Sequence, residues 1–163
     1  MEIILEGGFI LTTIGLILAS VMIYFASREL SLTRKTRTIE YVTNQFDKLT
    51  KIGARKELRK VGDRDIRSYV KEHPGTAQTF LEYVYAFNRI GAGIYKKALS
   101  EDVVFQIWTP RWFIEMWKKF KSWIKQERER RGEAARGAYV YFKWLAEEKC
   151  PEVEKKYPEY KWE

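Results

Sequence analysis

One histidine, one cysteine and a few paired acids are all that this chain offers for proton transfer, nucleophilic attack or metal binding. A triad built on His73 would need a nucleophile beside it, such as Cys150 or a serine, and an acid to orient the ring. His73 instead precedes Pro74-Gly75, a pair that makes a turn, so it reads as a solvent-exposed turn residue. A cysteine–histidine metal site needs three or four ligands, and two cannot close one. The pairs Asp63/Asp65 and Glu101/Asp102 lack calcium-loop spacing and are better placed as helix caps. No phosphate-binding glycine loop, dinucleotide fingerprint or serine elbow occurs in the sequence. No catalytic, cofactor-binding or metal-ligating residue is therefore expected, and the chain reads as a non-enzyme.

The residues that could bind something are aromatic or basic. Trp108, Trp112, Trp117 and Trp123 could stack on a ligand, but at helical spacing tryptophans more often fill a core. Trp112 falls off the Phe113-Trp117-Phe120 stripe and is a candidate for an exposed contact with a partner. Trp144, beside Phe142 and Leu145, is a second candidate. Between Arg28 and Lys60 ten basic residues face four acids, a local excess of +6 within a chain of net charge +8. Arg55, Lys56, Arg59 and Lys60 are the densest part of that excess. A cluster of this kind attracts anionic lipid or nucleic acid, with affinity that falls as salt rises. The plainer reading is a solvated helix face that also sets membrane topology.

The element that would carry these groups begins with an uncharged run of 21 residues, Gly7 to Ser27. As a helix it rises roughly 31 Å, about the thickness of a bilayer's hydrocarbon core. A cleaved signal peptide would start with basic residues and have a shorter apolar core; this chain starts with Glu2 and Glu6. An amphipathic helix, whether on a protein surface or lying in the membrane interface, would keep a polar face. Leu11, Ile14, Leu16, Ile17, Leu18, Val21, Met22, Ile23 and Phe25 leave none. A buried core helix fits the apolar run less well than a single spanning helix. Arg28, Arg34, Lys35 and Arg37 follow it, so the N-terminus is expected outside the cell membrane and the remainder in the cytoplasm. Tyr24 and Phe25 then sit near the inner interface. A lone Cys150 suits that reducing compartment. Gly7, Gly8 and Gly15 would let two spanning helices approach, although GxxxG spacing is absent.

The expected organisation is all-α: residues 1–27 as a transmembrane anchor, 28–150 as a cytoplasmic helical domain, and 151–163 as a loosely ordered tail. With 15% aromatic residues and six tryptophans the domain can fill a core. The spanning helix should continue past the membrane as one rod, since nothing breaks the chain up to Phe46 and Ile39, Val42, Phe46 and Leu49 keep helical spacing. A basic helix over 47–60 follows, with Gly53 a weak point and Gly62 a stop. Asp63 is the expected cap of a short helix holding Ile66, Tyr69 and Val70. A long helix over 76–99 buries Phe80, Val84, Phe87, Gly91, Ile94 and Ala98. Gly91 and Gly93 inside it suggest that a neighbouring backbone comes close. Ser100 opens a short helix and Thr109-Pro110 a longer one carrying Phe113, Met116, Trp117, Phe120, Trp123 and Ile124, up to Gly132. The last helix buries Ala135, Tyr139, Phe142 and Leu145. Arg89 is expected in water, with Asn88 undecided.

This order of pieces resembles a family of small single-pass prokaryotic proteins, the domain-of-unknown-function family 4760. The resemblance rests on RKTRTIEYV, on Phe87-Asn88-Arg89-Ile90 with Leu99-Ser100-Glu101-Asp102, and on Tyr141-Phe142-Lys143-Trp144-Leu145-Ala146. It covers residues 10–148 and implies an N-terminal anchor with a helical body, but no reaction and no cofactor. The function expected is that of a membrane-anchored adaptor or accessory subunit binding another protein or a second copy of itself. The alternative is a basic module next to the membrane that binds nucleic acid or anionic lipid.

Overall fold

Nothing between Glu2 and Lys51 stops a helix, and in the computed structural model α1 runs Glu2–Lys51. The structure describes residues 2–132 and 137–158, with side chains from Gly15 onward. By its contacts the chain divides into two units, Met1–Thr36 and Arg37–Glu163.

In the first unit the apolar side chains from Leu16 to Phe25 are bare, from 45% exposed at Val21 to 71% at Met22. A helix inside a protein core would show the reverse. This is the one described helix long and apolar enough, by length and composition, to cross a membrane.

The second unit is a bundle of helices, and no strand occurs among the described residues. Gly53, at φ 68°, ends the run of α1, and α2 spans Ala54–Val61. That left-handed conformation suits glycine, which has no Cβ to clash. The basic helix therefore starts after the glycine and not before it, at 47, as the composition suggested. Then come α3 (Ile66–Glu72), α4 (Ala77–Tyr95), α5 (Glu101–Ile107) and α6 (Pro110–Arg131). A further segment holds α7 (Val140–Trp144), a five-residue π turn over Leu145–Lys149, and α8 (Cys150–Lys156). α7, the π turn and α8 follow one another without a break, so Pro151 lies inside a helical run over 140–156, directly after the π turn, and Val153 is buried. Residues 151–156 are thus helical and not the loose tail expected there, and 159–163 lie outside the described residues.

Two expected boundaries move. The cap of α3 is Asp65, whose Oδ1 accepts from the Arg67 backbone N–H at 3.2 Å; Asp63, two residues earlier, does not have this role. Asp65 also accepts from the Ser122 hydroxyl at 2.7 Å, so the residue that starts α3 also ties it to α6. The long helix ends at Tyr95, not at 99. The chain turns back there, and the N–H groups of Ala98 and Leu99 both donate to the Gly93 carbonyl, at 2.8 and 3.0 Å. Leu99 packs so closely on Gly93 that a Cβ there would lie 2.6 Å from the leucine Cγ. Ala98 is consequently exposed and not part of the seam.

The seam itself is present: Phe80, Val84, Phe87, Gly91 and Ile94 are buried. Gly91 is where α4 meets α7, and a Cβ there would overlap the Tyr141 backbone carbonyl. Asn88, one turn earlier, accepts from the backbone N–H groups of Tyr141 and Phe142 at 3.0 and 3.1 Å. It caps α7 from another helix, satisfying two donors that a helix start leaves open. Arg89, beside it, is exposed as expected. Phe113, Met116, Trp117, Phe120, Trp123 and Ile124 of α6 are all buried, and Tyr139, Phe142 and Leu145 complete the core; Ala135 lies outside the described residues. Trp117 Nε1 donates to Glu147 at 2.6 Å, joining α6 to the π turn. Arg128 clasps the Ala138 carbonyl through Nε at 2.8 Å, which fixes the approach to α7.

Candidate functional site

Arg55 and Arg59 stand one turn apart on α2, so they share a face. That face borders a cleft of about 500 Å³, inside the size range of small-ligand pockets. The last turns of α1 supply Phe46, Leu49 and Thr50, and α4 supplies Tyr83. Ile107, Trp108 and Thr109, at the joint between α5 and α6, form a further wall with Trp112. Trp108 and Trp112 lie 5.1 Å apart with planes tilted by 36°, and Phe46 is 6.3 Å from Trp108. The Arg55 guanidinium sits over the Phe46 ring at 5.7 Å, a cation–π contact that restrains a long side chain. Lys119 reaches across from α6 and donates to the Gly62 carbonyl at 2.6 Å. Arg55, Arg59 and Lys119 face a single acid in the lining, Asp63.

Tyr83 is buried at the cleft, and burial raises its phenol above the ordinary value while Arg55 and Arg59 pull it back.

The structure separates residues that the sequence grouped and joins residues that it kept apart. Trp112 is half-buried, at 5.0 Å from Phe87 and 5.1 Å from Trp108, so it is a cleft wall more than a free surface side chain. It shares the cleft with Arg55 and Arg59, taken from the basic group. The other two basic residues stand elsewhere: Lys60 pairs with Glu57 at 2.5 Å and Lys56 is exposed, neither lining the cleft. Trp144 is half-buried and lies 5.1 Å from Tyr95, nearly edge to face; Tyr95 is 57% exposed and also meets Tyr141 at 5.4 Å. Tyr95, Tyr141 and Trp144 make a second aromatic feature, flanked in sequence by the exposed Lys96, Lys97 and Lys143. Sequence reading missed Tyr83, Phe46 and Lys119 as cleft residues. Their separation along the chain carries no periodic signal.

His73 is exposed in its turn, with its ring 4.5 Å from Tyr69. Among the described residues no group of three or more histidines, cysteines or acids could hold a metal ion. Glu101 forms an ion pair with Lys149 at 3.0 Å, so it links α5 to the π turn as well as starting a helix. Cys150 is fully buried, and that burial, with Glu154 and Glu101 nearby, pushes its thiol far above the ordinary value. Thiolate is the reactive form, so iodoacetamide at pH 8 is expected to leave the folded protein unlabelled and to label it fully in denaturant. Intact-mass spectrometry distinguishes the two, and rapid labelling under native conditions would contradict this burial.

No curated protein and no solved structure matches the chain. A family model does, described as Domain of unknown function (DUF4760), over residues 9–149. Those residues include α4, the cleft and the Asn88-capped α7, and the chain belongs to the DUF4760 family.

Proposed function

We propose that the protein is a non-enzymatic, membrane-anchored adaptor or accessory subunit whose helical domain binds another protein. The anchor is the bare apolar helix: exposing the side chains from Leu16 to Phe25 to water costs about 25 cal/mol per Å² of apolar surface. Lipid removes that cost. The basic residues that follow support an orientation with the N-terminus outside the cell membrane and the domain in the cytoplasm.

The observation that carries the partner reading is the aromatic group of Tyr95, Tyr141 and Trp144. Tyrosine and tryptophan are enriched where proteins bind, because they cover large area with few rotatable bonds. The neighbouring exposed Lys96 and Lys97 favour an acidic partner, while Lys143 is paired with Glu147 at 3.8 Å. A second copy of the chain is included in this reading, and Gly15 faces open space along α1.

Detergent extraction from native membranes followed by native mass spectrometry tests it. The expected result is a stoichiometric complex that Tyr95→Ala with Trp144→Ala weakens by about tenfold or more, equivalent to about 1.4 kcal/mol. A protein that is always monomeric and alone, or a complex indifferent to both substitutions, would overturn the reading.

A further inference from the structure

We infer that the cleft between α2 and α6 binds a small amphipathic anion, with the acidic head at Arg55 and Arg59 and an aryl or acyl body against Trp108 and Trp112. This site is separate from the aromatic group assigned to a protein partner, and the inference does not rest on that assignment.

Three observations converge. The first is charge without a carboxylate partner: Arg55 and Arg59 are exposed at the rim, and among the described residues neither forms an ion pair. Two guanidinium groups one turn apart repel, and a phosphate or carboxylate between them relieves this through charge-assisted hydrogen bonds. The second is preorganisation. Arg55 is already held over Phe46, so less rotamer freedom is lost when an anion arrives. The third is the body of the cleft. Tryptophan rings 5.1 Å apart line it, and its volume of about 500 Å³ has room for a bicyclic ring or a medium acyl chain. A free inorganic anion would use the first feature and leave the aromatic wall unused. A neutral apolar molecule would leave both arginines unpaired. Asp63 lies in the same lining and repels any anion, so the two arginines and Lys119 must outweigh it.

The test uses the full chain in lipid nanodiscs and isothermal titration calorimetry, with empty nanodiscs subtracted to remove partitioning. The probes are 2-naphthyl phosphate, the neutral 2-naphthol, inorganic phosphate, and dodecyl phosphate as a lipid-like anion. The two amphipathic phosphates are expected to bind saturably at one site per chain. 2-Naphthol and inorganic phosphate are each expected to bind at least about tenfold more weakly. The stronger of the two amphipathic anions shows whether the ligand resembles a soluble aryl acid or a membrane-derived one.

Arg55→Gln with Arg59→Gln should weaken binding by about tenfold or more, while Lys56→Gln with Lys60→Gln, outside the cleft, should change it less than about twofold. Circular dichroism checks that each pair folds. The comparison of charged with neutral probe needs no variant and stands even if one fails to fold. Equal binding of 2-naphthol, full binding of phosphate alone, undiminished affinity without the two arginines, or no saturable binding would each overturn the inference.

Discussion

Replacing Phe87 by alanine is expected to remove about 3–5 kcal/mol from the helical domain, as truncation of a fully buried aromatic does. Phe87 is 0% exposed and sits at the junction of three helices and a loop. Its ring lies 4.9 Å from Phe142, 5.0 Å from Trp112, 5.4 Å from Tyr83, 5.9 Å from Phe113 and 6.2 Å from Trp108. Several of these are edge-to-face, a geometry worth about 0.5–1.5 kcal/mol per pair beyond the area buried. Domains of this size are stable by only about 5–15 kcal/mol, so the loss is a large part of the total. Thermal unfolding followed by circular dichroism should show the midpoint fall by about 10–20 °C. The substitution also takes support from Trp108 and Trp112, so anion binding in the cleft should weaken with it. A midpoint within a few degrees of wild type would mean that these rings do not meet at Phe87.

Gly91→Ala is expected to destabilise, which is the opposite of its intrinsic tendency. In an ordinary helix interior, alanine is more favourable than glycine by about 1 kcal/mol. Here the new methyl would overlap the Tyr141 carbonyl and lie 2.8 Å from its carbonyl carbon, so α7 must move away from α4. Overpacking of this kind costs about 1–3 kcal/mol, and the backbone on the other side cannot rotate away as a side chain can. Displacing α7 also lengthens the Asn88 hydrogen bonds at Tyr141 and Phe142. A midpoint lowered by several degrees is the expected result in a thermal melt. A raised midpoint would show that α7 does not lie against Gly91.

These two positions also show what could be read in the sequence. The Phe80-Val84-Phe87-Gly91-Ile94 seam was legible because a helix repeats its inner face every three or four residues. A glycine inside such a seam has an energetic cost, so a close neighbour was a sound expectation; that Tyr141, fifty residues on, would be the neighbour was not readable. The stripe on α6 and its Thr109-Pro110 start were legible for the same local reasons. Two short-range choices went the other way. Asp63 and Asp65 are chemically equivalent caps, and the partner that distinguishes them, Ser122, belongs to another helix. Ala98 continues the spacing of α4, but the fold-back of Leu99 onto Gly93 ends the helix first.

The cleft was hidden for a different reason. Arg55, Tyr83 and Trp112 belong to three segments, each with an adequate explanation of its own as solvated cation, core ring or partner contact. Only packing brings them together. Gly53 matters here, because the turn it permits gives α2 the direction that sets Arg55 and Arg59 at the rim.

The cap that Asn88 lends to α7 has a consequence for how the chain is made. α7 runs without a break through the π turn into α8, so the helix that Asn88 starts spans 140–156, and its first turn is the costly step to form. Its start is completed by a side chain translated more than fifty residues earlier. Until residues 140–142 leave the ribosome, the Asn88 side chain has only water to bond. The α4–α7 contact can close only once they have emerged to dock there.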